Sequence, residues 1–113
     1  MARPAPATRL TDLPTVTIGG LEVPVATGLR ARLVGLSHLD REEAANGLLI
    51  PRCSRVHTFG MRFPLDLVFF DRWAAVVAID RRVGPRRFVS HRGAFAVLER
   101  PAGGGDSAAR PTG

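Results

Sequence analysis

The sequence predicts a small, mainly β domain, a sandwich or barrel-like fold with one or two short helices at one edge. Three observations carry that expectation. Apolar residues alternate along His57–Asp71, "HTFGMRFPLDLVFFD". Several other short β-prone runs are separated by Gly, Pro, Asn or Asp. The helical patterns are few and short. With 113 residues there is room for one domain and one core.

Residues 1–13 are rich in Pro, Ala and Arg and read as an unstructured lead-in, so the globular domain is placed at 14–103. "TVTIGGLEVPVA" (15–26) reads as a β-hairpin, because Gly19-Gly20 suits the positive φ angles of a tight turn. Pro24 confines its second strand to an edge or a bulge. Thr27 is the expected N-cap of a helix whose Leu29, Leu33 and Leu36 form an apolar stripe at i, i+4, i+7. Asp40 and Glu43 have capping-box spacing for a second short helix, and Asn46-Gly47 stops it. "LLI" (48–50) is a short buried strand ended by Pro51.

Parity then reads the central segment. Side chains alternate across a strand, so the odd residues from His57 to Phe69 form one face. Pro64 cannot donate to a ladder, which divides the run into strands at 56–61 and 65–70 with a corner at 62–64. The odd face is core. Asp66 shares the even face with Val68 and Phe70, so it is expected half-buried and in need of a partner; Arg62, across the corner, is the nearest cation. "AAVVAI" (74–79) is the returning strand, "RRVGPRR" (81–87) an arginine-rich loop, and "AFAVLE" (94–99) the last strand. The remainder, 104–113, reads as an unstructured tail.

The net charge of +6 invites a polyanion, but all sixteen basic residues are arginine, a skew that GC-rich codon usage produces by itself. No apolar run is long enough for a membrane-spanning helix, and "MARPAPATRLTDLP" has no apolar h-region, so a cytoplasmic location is expected. The single Cys53 fits that compartment. Cys53 and His57 have a C-x₃-H spacing, yet two ligands are too few for zinc, so no metal and no cofactor is expected. As a nucleophile–base pair they lack an orienting third group.

"RARLVGLSHL", "NGLLI", "HTFGMRFPLDLVFFD", "VVAI" and "GAFAVLERPAG", in that order, resemble the bacterial and archaeal family known as domain of unknown function 192. The matching positions are Arg32, Gly35 and Leu36; Phe59 and Met61; Leu65, Asp66 and Phe69; and Val97, Leu98, Glu99 and Gly103. The resemblance implies a compact, mainly β fold and no activity. Many relatives carry export signals or lipid anchors. Two departures stand out. Ala74 occupies a turn position where relatives usually have glycine. After Gly103 the chain also lacks the β-forming residues of the relatives' closing strand, so an open sheet edge is expected to be available to a second chain.

Together these readings assign no catalytic residue. They favour a binding or accessory module for a small ligand or protein partner, with His57, Met61, Arg62, Asp66 and Glu99 as candidate binding residues. The alternative is a hydrolase with Asp66 or Glu99 as general base. Arg81, Arg82, Arg86 and Arg87 are candidate anion-binding residues, expected to hold an acidic or polyanionic partner weakly.

Overall fold

The computed structural model describes residues 7–103. In chain order the elements are α1 (Thr8–Thr11), β1 (Thr15–Ile18), β2 (Leu21–Pro24), α2 (Leu29–Val34), α3 (Arg41–Ala44), β3 (Leu48–Pro51), β4 (Arg55–His57), β5 (Leu65–Phe70), β6 (Val76–Val83), β7 (Phe88–Ser90) and β8 (Ala96–Pro101). A four-stranded antiparallel sheet of order β3-β8-β5-β6 forms the centre. β8, last in sequence, is therefore interior, hydrogen-bonded to β3 on one side and β5 on the other. The β1–β2 hairpin and the β4–β7 pair make two further small antiparallel sheets. The hairpin joins the β3 edge through the Ala26 N–H, which donates to the Leu49 carbonyl at 2.8 Å. The fold is mainly β as expected, and open rather than a closed barrel.

The parity reading of the central segment holds from Met61 to Phe69 and fails before it. Phe59 is exposed and His57 half-buried, while the even-numbered Thr58 is fully buried, because the chain turns there. Leu65, Leu67 and Phe69 are fully buried, and Met61 and Phe63 nearly so. They pack with Leu48, Ile50 and Val97 of the neighbouring strands and with Leu36 and Leu39 from the helical side. Each such burial contributes roughly 1.5–3 kcal/mol. Gly19 and Gly20 adopt φ of +59° and +82°, the turn geometry anticipated for the hairpin. Glu43 Oε1 accepts the Asp40 N–H at 2.9 Å, as the capping-box spacing implies. Ala74 does adopt positive φ, +67°, so it carries strain of about 1 kcal/mol that glycine would avoid.

Other details differ from expectation. The lead-in contains α1, whose Leu10 enters the core. Helix α2 is capped by Gly28 rather than Thr27. The predicted strand 56–61 is only Arg55–His57, because the chain turns at Thr58 to brace the loop after β6. The buried Thr58 hydroxyl donates to the Gly84 carbonyl (2.7 Å) and accepts the Arg87 N–H (2.9 Å), while its backbone N–H donates to the Arg87 carbonyl (2.9 Å). That bracing lets residues 88–90 form β7, a strand too short to stand out by periodicity. β6 runs on through Val83, so Arg81 and Arg82 lie in a strand and not in a loop. The expected tail, 104–113, lies outside the described residues, and with it the question of a closing strand.

Candidate functional site

β8 carries "AVLERP", and its register fixes where Glu99 points. Glu99 pairs with Leu48 of β3 and with Leu67 of β5, both fully buried, so its side chain shares their core-facing side. Only 3 % of Glu99 is accessible. Its Oε1 is buried and, among the described residues, has no hydrogen-bond partner. Such an acceptor costs about 1–3 kcal/mol relative to a satisfied one.

The turn after α2 closes over this carboxyl. Gly35 has φ +55° and ψ −131°, a positive-φ conformation that side chains adopt only with strain. A Cβ at that position would lie 2.9 Å from Glu99 Oε1. Glycine thus relieves strain twice, in the backbone and at the close approach. The turn is held from two sides. Arg9 donates to the Gly35 and Ser37 carbonyls at 2.9 and 2.7 Å, and Ser37 Oγ donates to the Phe59 carbonyl at 3.0 Å. Burial pushes the Glu99 carboxyl up to about 7 from its ordinary 4.5, and the Leu36 backbone N–H beside it acts weakly in the opposite direction.

Glu99 lies on a cavity of about 270 Å³ between α2, β4 and the central sheet. Leu29 and Leu33 of α2, Ile50, Val56 and Met61 make apolar walls. The polar lining comes from Arg32, Ser37, Cys53, Arg55 and His57. This corrects the apolar stripe of α2. Only Leu36 of that stripe is core, while Leu29 and Leu33 are 73 % and 62 % exposed and border the cavity instead.

Most polar groups lining the cavity have a partner elsewhere. His57 Nδ1 accepts the Phe59 N–H at 3.2 Å, a pattern that assigns the proton to Nε2, which faces the Leu33 carbonyl at 3.3 Å. Cys53 Sγ donates to the Arg55 carbonyl at 3.0 Å. The Arg32 guanidinium donates to the carbonyls of Pro51 and Arg52. Cys53 and His57 therefore line one cavity without forming a nucleophile–base pair. Among the described residues no cluster of three or more His, Cys, Asp or Glu has the arrangement of a metal site.

Of the sequence candidates, His57, Met61 and Glu99 meet at this cavity, and the others do not. The expected Arg62–Asp66 pair is not formed. Arg62 Nη1 instead donates to Asp40 at 3.0 Å, both side chains more than half exposed. Asp66 is on the opposite face of the sheet from Glu99, in register with Arg100. Its Oδ1 accepts the Arg82 N–H at 2.9 Å, where β6 places two residues, Arg81 and Arg82, against one of β5. Asp66 thus ties down a β-bulge whose Arg82 has φ +52°. Arg86 and Arg87 are held by their backbone N–H groups to Thr58, and Arg82 Nη1 donates to the Gly103 carbonyl at 3.2 Å. Sequence reasoning missed Arg32, Arg55 and the two exposed leucines as cavity residues. The signal available for Glu99 was its parity with Val97, a carboxyl at a core-facing position.

The family model of domain of unknown function 192, described as "Uncharacterized ACR", matches residues 14–109. A solved protein of unknown function from Novosphingobium aromaticivorans is similar at 23 % identity and a TM-score of 0.57, covering 79 % of this chain and 71 % of that one. That likeness supports the fold. None of the curated proteins matches. Among the described residues, no helix is long and apolar enough to cross a membrane.

Proposed function

The chain belongs to the domain of unknown function 192 family, which has no established activity, and we propose from the cavity itself that it is a small-ligand binding module rather than an enzyme. One observation carries this reading: a buried carboxyl with an unpartnered oxygen lies against a cavity whose walls are otherwise largely apolar. Apolar walls with a few placed polar groups are the ordinary make-up of a ligand site. The volume, about 270 Å³, is just below the usual ~300–1,000 Å³ range, so the ligand is small. His57 and Met61 join Glu99 as lining residues, and Arg62 and Asp66 drop out of this site.

A hydrolase with Glu99 as general base is the second reading. It has one observation in its favour, a carboxyl poised near 7. Against it, Glu99 is the one acid among the described residues that line the cavity, and the Cys53 and His57 polar atoms are committed elsewhere.

The test is a fragment screen by NMR with the Leu29, Leu33 and Met61 methyl signals assigned. Hits are expected to shift these methyls and to lose binding in Val56→Phe, which fills the cavity. Hits that shift only distant signals, or that survive the filling substitution, would contradict the reading. Turnover of an ester or amide probe, lost in Glu99→Gln, would replace it with the hydrolase.

A further inference from the structure

The arginines that follow β6 have aromatic neighbours that the linear sequence does not show. Between Arg81 and Arg92, Phe88 is the only phenylalanine. Folding brings two more rings to it. β4 and β7 pair antiparallel with His57 opposite Phe88, so both side chains stand on one face of this two-stranded ribbon. Phe59 packs against both, its ring centroid 5.8 Å from that of His57 and 5.2 Å from that of Phe88. Phe88 is 69 % exposed and Phe59 41 %, and neither belongs to the core.

The rings are held in place before anything binds. The Phe59 N–H donates to His57 Nδ1 at 3.2 Å, and its carbonyl accepts from Ser37 Oγ at 3.0 Å. Phe88 is fixed by its strand pairing with His57. A preformed platform gives up little freedom on binding.

Cations frame the rings at both ends. Arg55, two residues before His57 in β4, stands on the same face. At the other end Arg86 and Arg87 have their backbone N–H groups tied to Thr58, the residue before Phe59. All three arginines are exposed, and among the described residues none of them has an ion-pair partner. Codon usage accounts for the number of arginines but not for their gathering around three rings. From Arg55 to the Thr58–Arg87 contact is three residue steps, roughly 10 Å of strand, room for about two or three nucleotides. An acidic peptide would suit the guanidiniums equally well, but few of its side chains are flat. Every base has a π-face to lay on a ring.

We propose that the β4–β7 face binds single-stranded nucleic acid without regard to sequence. Bases stack on Phe88 and Phe59, and phosphates pair with Arg55, Arg86 and Arg87. Neither phenylalanine lines the cavity, so binding here can succeed or fail without deciding the small-ligand reading.

The test is fluorescence anisotropy on the full chain with labelled oligomers of about six nucleotides, near the lower end of single-strand site sizes. The probes are a thymidine oligomer, a uridine oligomer, an abasic oligomer of equal charge, a DNA duplex and a glutamate peptide. At about 50 mM salt a base-bearing oligomer should bind about tenfold more tightly than the abasic one. Raising salt to about 200 mM should weaken it about twentyfold, as release of counterions from three phosphates implies. Phe88→Ala should weaken the base-bearing oligomer about tenfold and leave the abasic one unchanged. Changing Arg86 and Arg87 together to Ala should weaken both oligomers and flatten the salt dependence.

Preference for either the thymidine or the uridine oligomer over the abasic one supports the proposal, and the tighter of the two tells DNA from RNA. Equal binding of base-bearing and abasic oligomers would show that the rings read nothing and would overturn it. So would tighter binding of the duplex, unchanged binding by Phe88→Ala, or no binding at the lower salt. Tighter binding of the glutamate peptide would replace nucleic acid with an acidic protein segment. The comparison among probes on the parent chain decides these outcomes even if a variant misfolds.

Discussion

Two carboxyls sit one residue apart in register on the central sheet, and the fold treats them in opposite ways. Asp66 of β5 stands in register with Arg100, and Glu99 of β8 with Leu67, so they occupy opposite faces of the same strand pair. Asp66 is half-buried and accepts a backbone N–H at 2.9 Å, which fastens a bulge. Its presence is explained by folding alone. Glu99 is almost wholly inaccessible, its Oε1 has no partner among the described residues, and its environment favours the neutral form. Folding gives no reason for it; an apolar residue of similar size would stabilise the same site. The difference separates an acid that completes the structure from one that the structure leaves incomplete, and it is on that incomplete acid beside a cavity that the proposed binding role rests.

The comparison can be broken at the support of each carboxyl. The larger effect is expected at Gly35. Gly35→Ala forces a side chain into a strained positive-φ conformation and against Glu99 Oε1, and should cost about 3 kcal/mol in urea unfolding. Gly28→Ala, where a Cβ meets nothing within 4 Å, should change stability by less than about 1 kcal/mol and serves as the control. Equal effects at the two glycines would mean that the turn does not close on Glu99 as described. A smaller effect is expected at Asp66. Asp66→Ala should cost about 1 kcal/mol, the loss of one hydrogen bond, while Asp66→Asn, which keeps an accepting oxygen, should stay within about 0.5 kcal/mol of the parent. A large loss in the Asn variant would mean that Asp66 neutralises a buried cation after all, as its position beside Arg62 in sequence suggested.

That last point marks where sequence reasoning stopped. Alternation through Leu65, Leu67 and Phe69, and the interruption at Pro64, placed β5 correctly because strand periodicity and proline chemistry are local. The Asp40–Glu43 cap and the Gly19-Gly20 turn were legible for the same reason. The partner of Asp66 was not, because it depends on a register shift between β5 and β6 that brings in the Arg82 backbone from sixteen residues away. Leu29 and Leu33 had the right spacing for an apolar face, but spacing does not say what covers that face; here a cavity borders it. Glu99 was singled out only as a position matching the family pattern and as a candidate binding residue or general base. Its meeting with the Gly35 turn follows from the insertion of β8 between β3 and β5, a pairing no local pattern encodes.

The most direct test is the stability of Glu99→Gln against the parent as a function of pH. In the folded chain the carboxyl keeps its proton up to about pH 7, whereas in the unfolded chain it releases it near 4.5. Between those values the unfolded state binds fewer protons, so the parent loses stability as pH rises through that window and levels off above it. Glutamine has no proton to lose. The variant is therefore expected to match the parent near pH 4 and to exceed it by about 3 kcal/mol at pH 8, with the difference opening between 4.5 and 7. A Gln variant less stable than the parent at pH 8, or a difference that does not change with pH, would mean that Glu99 is a satisfied structural carboxylate and would contradict the account.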